Sequence, residues 1–208
     1  MKFYFLPITQ SIEILERDIY MQNLSTNDEI RKWSKASLTE LIDHLEQVHQ
    51  IIKSEKNPHL QQLLDEILNT YTGKHREMLE SLQEFFTIFK SEAEDHIKRE
   101  EEILFSYIRK LEFYKTNDGT KPAIPFHSIE NPISQIELDH VKLENTLLEA
   151  IDKIASVFKT LEESSDSFKI FYEDMKSLQS EIMEHMRLET NVVFPEAIRL
   201  ELSVMYEK

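Results

Sequence analysis

Apolar residues along this chain recur every three or four positions over long stretches, with polar residues between them. Leu38, Leu41, Ile42, Leu45, Val48 and Ile52 form one stripe, which Leu60, Leu63, Leu64, Ile67 and Leu68 resume. A second takes in Met78, Leu82, Phe85, Phe89, Ala93, His96, Ile97, Ile103 and Leu104. This is the period of amphipathic helices. It predicts a helix starting after Ser37, a kink or break at Pro58, and a second helix over 75–113. A third follows over 133–160 and a fourth over 167–194, with a terminal stretch after Pro195. Ser164-Ser165-Asp166 reads as the turn and cap before the fourth. The stretch 115–132, with Gly119, Pro122, Pro125 and Pro132, reads as the longest loop. Helices of about 25–40 residues joined by turns predict an all-α, up-down-up-down four-helix bundle over 34–208. Ile12, Ile14, Leu15 and Ile19 suggest a short helix within a separate N-terminal segment, 1–33, whose role stays open.

Composition supports helices and narrows the chemistry. The 208 residues include only 2 Gly and 6 Pro, too few turn formers for a β-rich fold. The net charge of −15 repels phosphate backbones and argues against nucleic acid as a partner. With no cysteine, thiolate metal sites, disulfides and cysteine nucleophiles are excluded, and His, Asp, Glu and Tyr remain for metal chemistry. No apolar run approaches the roughly 18 residues of a membrane span. The N-terminus lacks the long apolar stretch of a signal peptide, so the expected compartment is the cytoplasm.

Into the helical pattern are set three copies of one spacing: His96 with Glu100, His140 with Glu144, and His185 with Glu189. Positions i and i+4 share a helix face, so each pair aims an imidazole and a carboxylate at one region of space. His96 lies on the apolar stripe, and His185 continues one formed by Leu178 and Ile182. A core-facing carboxylate is costly unless it is paired or bound to metal. Imidazole with carboxylate suits iron, manganese or zinc, and two glutamates from two helices can bridge a pair of ions.

The stretch His96-Ile97-Lys98-Arg99-Glu100-Glu101-Glu102-Ile103-Leu104-Phe105 resembles the H-x-x-x-E-E-x-x-L-F-P signature of hemerythrin-like domains. His185-Met186-Arg187-Leu188-Glu189-Thr190-Asn191-Val192-Val193-Phe194-Pro195 resembles their closing signature. Within that superfamily the chain is most similar to the di-iron proteins of iron–sulfur cluster repair, the RIC family. Asn131-Pro132-Ile133 with Glu137 and His140 resembles the entry to their third helix, and the run from Ser37 to His44 the start of their first. The resemblance spans about 34–200. It implies dinuclear non-haem iron, with an oxo bridge between the ions allowed and zinc or manganese as alternatives. It makes His96, His140 and His185 terminal ligands and Glu100 and Glu189 bridging ones. Glu144 has no counterpart and reads as a solvated or second-layer acid.

The departures lie mainly on the first helix and N-terminal to it. Gapless alignment puts Gln50 where the family has a histidine, but periodicity favours His49, which follows Leu45 by four and precedes Ile52 by three. A second family histidine aligns with Tyr71, with His75 a substitute four residues on. The first-helix side is therefore expected to be the poorer in ligands, with one ion held less tightly. His44, His59 and His127 read as ordinary polar groups. Ser106 replaces the first signature's proline, which suggests a changed helix ending. Residues 1–33 lack the Cys-Cys pair that many RIC proteins carry. The resemblance implies handling of NO or O2-derived species, or iron donation to damaged iron–sulfur proteins, under nitrosative or oxidative stress. The alternative is a hemerythrin-like module that binds or senses O2 or NO without repair.

Overall fold

The computed structural model describes residues 29–117, 120–123, 127–160 and 165–206. The short helix expected around 12–19 lies outside these. Four helical rods make up the described structure. The first is α1 (Leu38–Ile51), a π-helical turn (Ile52–Lys56) and α2 (Asn57–Thr70). The second is α3 (Gly73–Arg99), a π turn (Glu100–Phe105) and α4 (Ser106–Asn117). The third is α5 (Glu130–Thr160). The fourth is α6 (Asp166–Leu188), a π turn (Glu189–Val193) and α7 (Phe194–Met205).

Each rod packs antiparallel on the next. α1 meets α4, α3 meets α5, α5 meets α6, and α2 meets α6 to close the ring. This is an all-α, up-down-up-down bundle, and no strand occurs among the described residues.

Local chemistry starts the rods. Ser37 accepts from the Glu40 amide while the Glu40 carboxylate accepts from the Ser37 amide, a capping box worth about 1 kcal/mol. Glu112 from α4 reaches the same end and accepts from the amides of Leu38 and Thr39 at 2.9 and 2.8 Å. Ser165 caps α6 by accepting from the Phe168 amide. Just before α1, Trp33 stacks on His44 with ring centroids 4.6 Å apart, which ties the end of the N-terminal segment to the bundle.

Five sequence expectations are corrected here. Pro58 does not break the first rod. Its ring would clash with the carbonyl four residues back in a regular helix, and the wider π turn ending at Lys56 gives it room at the start of α2. Pro195 follows the third π turn in the same way, so the fourth rod continues to Met205. Ser106 does not change the helix ending either, since a π turn precedes it and α4 runs on. On the second rod Phe86 is buried in place of Phe85, over which Lys153 lies 3.4 Å from the ring centroid. The π turn there also rotates Ile103 outward and brings Leu104 and Phe105 into the core.

Two apolar clusters fill the interior. One includes Ile52, Ala93, Leu143, Ile182 and Met186. The other includes Leu45, Leu104, Ile136, Leu188 and Val192. On every rod the residues between these limits are where the interior turns polar.

Candidate metal centre

The polar layer between the two clusters consists of His49, His96, Glu100, His140, His185 and Glu189. All six are buried, and both glutamates are completely inaccessible. They form two groups, one of His49, Glu100, His185 and Glu189, the other of His96, Glu100, His140 and Glu189. Within each group the candidate ligand atoms lie within 4.8 Å of one another. The two glutamates belong to both.

The atoms divide evenly. Glu100 presents Oε1 to the Nε2 of His96 at 3.0 Å and of His140 at 3.5 Å, and Oε2 to the Nε2 of His49 at 3.2 Å. Glu189 presents Oε2 to His140 Nε2 at 3.1 Å and Oε1 to His185 Nε2, also at 3.1 Å. Each half therefore has two imidazole nitrogens and one oxygen from each carboxylate. The sequence expectation of a ligand-poor first-helix side gives way to equal donor sets.

Local structure explains the aim. Glu100 and Glu189 each open a π turn, and His49 precedes the third such turn by three residues. A π turn inserts one residue into the helical frame and shifts the faces beyond it, a feature concentrated at functional sites. Rods one and two are matched by rods three and four. Phe105 of the second rod stacks on His49 of the first, 6.0 Å between centroids. Phe194 of the fourth stacks on His140 of the third at 5.9 Å. Both phenylalanines stand in the signature motifs, and periodicity alone did not reveal this steering role.

Donors and acceptors do not balance within the layer. Both oxygens of Glu100 and of Glu189, and Nε2 of His140, are buried without a well-aligned hydrogen bond despite their short separations. Lone pairs converge on shared points, an arrangement that suits a cation held between them. In the metal-free protein the charges of the layer act directly on one another. Burial by itself would raise the Glu100 carboxyl, but the charge of His96 and the imidazoles of His140 and His49 set close to its oxygens hold it well below the ordinary carboxylate range. Burial and Glu100 would raise Glu189, and His185 and His140 outweigh them. Burial would lower His140, but Glu100 and Glu189 push it up to about 9. His185 is raised in the same sense, chiefly by Glu189 against burial.

Beside the layer lies an apolar cavity of about 30 Å³, bounded by His49, His96 and His185 with Phe89, Leu143 and Met186. That is room for a molecule of about water size.

The remaining sequence candidates lie elsewhere. Gln50 is exposed while His49 is 2% exposed and lies in the polar layer. The Tyr71 hydroxyl accepts from the Ser165 amide where the first rod ends and the fourth begins, away from the polar layer. His59 pairs with Asp174 at the surface, His44 lies under Trp33, and His127 adopts a positive φ before α5. The side chain of His75 lies outside the described residues. Glu144 is partly exposed and belongs to neither group. Sequence reasoning missed Glu101, whose Oε1 lies 3.1 Å from His49 Nδ1. Its position in the E-E of the signature was the available signal.

The four-rod bundle with a His/Glu layer at its middle is that of a metal-binding helical protein. The profile of the hemerythrin HHE cation-binding domain matches residues 40–197, and the chain belongs to this family. It is also similar to the iron-sulfur cluster repair protein YtfE of Escherichia coli. Identity is 26% over 187 residues with the protein of strain UMN026, covering 90% of this chain and 77% of that one. With the protein of Escherichia coli O1:K1 it is 27% over 168 residues, covering 81% and 70%. Among the described residues no helix is long and apolar enough to cross a membrane.

Proposed function

We propose that this is a non-haem di-iron protein of the iron–sulfur cluster repair type, acting in the cytoplasm under nitrosative or oxidative stress. The observation that carries the reading is the division of the two carboxylates, each with one oxygen toward either pair of histidines. His49 and His185 would hold one ion, His96 and His140 the other, and Glu100 and Glu189 would bridge them. When bound, iron supplies redox chemistry and an open coordination position for NO or O2. The chain's own residues supply position, neutral imidazole donors and exclusion of water. The small apolar cavity against three of the histidines favours diatomic ligands over larger ones. Residues 1–33 are read as a segment separate from the bundle.

Similarity to repair proteins over 90% of the chain favours repair over simple binding. A hemerythrin-like module for O2 or NO binding or sensing is the second reading, favoured if iron or NO transfer needs the Cys-Cys pair that residues 1–33 lack. Two measurements test the proposal. Protein from iron-replete cells should carry about two irons per chain and absorb in the near ultraviolet. A colourless product loaded with zinc or manganese would overturn the di-iron reading. Added protein should restore a nitric oxide-damaged iron–sulfur enzyme, whereas ligand binding without restoration would leave the sensing module.

A further inference from the structure

The geometry points to Glu101 as a positioning residue that fixes the tautomer of His49 and, through it, the ion held by His49 and His185. The inference rests on the dinuclear reading above. Consecutive carboxylates grip both nitrogens of one imidazole: Glu100 Oε2 lies 3.2 Å from His49 Nε2, and Glu101 Oε1 lies 3.1 Å from its Nδ1. An ionised carboxylate only accepts, so Nδ1 carries the proton and donates it to Glu101. The Nε2 lone pair is then left facing the centre, where a metal would need it.

Glu101 is itself braced. Lys53, one helical turn after His49, donates from Nζ to both Glu101 oxygens at 3.2 and 3.3 Å. Lys53 and Glu101 are about one-third exposed, and a pair so exposed adds little to folding stability. Its effect lies in holding the carboxylate in one place above a histidine that is 2% exposed.

The brace is one-sided. The Nδ1 atoms of His96 and His185 are buried without a partner. By the pairing of rods one and two with rods three and four, His140 corresponds to His49 and Glu189 to Glu100. Thr190 then stands in the place of Glu101, and Glu144 in the place of Lys53. The half that holds His140 thus has neither the carboxylate nor the cation of this brace. Two halves with equal donor sets are in this way made unequal by what lies behind one ligand.

Two readouts test this, neither of them activity. Nitrogen-15 spectra of the metal-free protein should show His49 as the Nδ1–H tautomer. Glu101→Ala should mix the tautomers, and Glu101→Gln, whose amide oxygen still accepts, should restore the single form. In iron(II)-loaded protein titrated with a chelator without oxygen, the wild type should lose the unbraced ion first and show a plateau near one ion per chain. Glu101→Ala should weaken the braced ion about 10- to 100-fold, so that the plateau is lost and the two ions leave together. Glu101→Gln should stay close to wild type. Glu101→Leu, which keeps the side-chain volume, must repeat the alanine result, so that a folding defect of one variant does not decide the matter. An unchanged His49 tautomer, or a plateau kept as in the wild type, would overturn the role of Glu101. Wild-type protein that holds no pair of ions would sink the dinuclear reading instead, while the tautomer measurement would still judge Glu101.

Discussion

The Nε2 atoms of His49 and His185 lie 3.0 Å apart, although 136 residues of chain separate them. Two imidazole nitrogens at that distance need a proton or a cation between them, because two lone pairs repel. Glu100 Oε2 and Glu189 Oε1 complete the same small space. Four groups that avoid one another without a positive charge are held together by two apolar clusters, one on either side.

Removing either shared carboxylate should empty both halves. Glu100→Ala and Glu189→Ala are each expected to lower metal content by about tenfold or more, with far-ultraviolet dichroism still helical. Glu144→Ala should leave metal content near wild type. Metal analysis of the three variants checks this, and equal losses in all three would show that the bridging assignment is wrong.

His49→Ala should lower occupancy from about two ions to about one, since His96 and His140 would still serve the other half. Gln50→Ala should change nothing, because Gln50 is exposed. The reverse order would mean that family alignment outranks helical periodicity at this position.

Stability of the metal-free protein should depend on pH in a defined sense. Glu100 and Glu189 are lowered by folding, so their contribution is present above about pH 4.5 and is lost as pH falls through their folded values. His140 is raised from 6.5 to about 9, so its contribution is full below 6.5 and is lost as pH rises through 9. The second loss is on the order of 3 kcal/mol. Chelator-treated protein should therefore have its highest Tm between about pH 4.5 and 6.5 and lose stability toward 9. Metal displaces these protons, so metal-loaded protein should lack the alkaline loss, and metal uptake at pH 7 should release protons. A Tm of metal-free protein that rises from pH 6.5 to 9 would contradict the assignment.

A buried carboxylate outside the centre should matter for folding alone. Glu201 accepts from the Tyr107 hydroxyl at 3.1 Å, from the Ile129 amide at 3.0 Å and from the Ser128 hydroxyl at 3.2 Å. It fastens the start of α5 to α4 and α7. Glu201→Ala would remove the acceptor of the buried Ile129 amide and of the Tyr107 hydroxyl, costing about 3 kcal/mol. The urea midpoint should fall while metal per folded chain stays unchanged.

The sequence by itself determined the bundle, the burial of His96 and His185, and the burial of His49 rather than Gln50. All follow from which side chains share a helix face, a property of neighbours within about one turn. The paired signatures also carried the family, because both lie on single uninterrupted segments. Local periodicity could not give the three π turns. It therefore placed Ile103 inward, put a kink or break at Pro58 and ended the fourth rod too early. Whether a helix takes up an extra residue depends on what its next turn must pack against, and that is set by the other rods. The even division of donors and the Glu101 carboxylate behind His49 were likewise decided only by tertiary structure. They join atoms from different rods, and no spacing along one helix fixes how far the next rod is rotated or shifted.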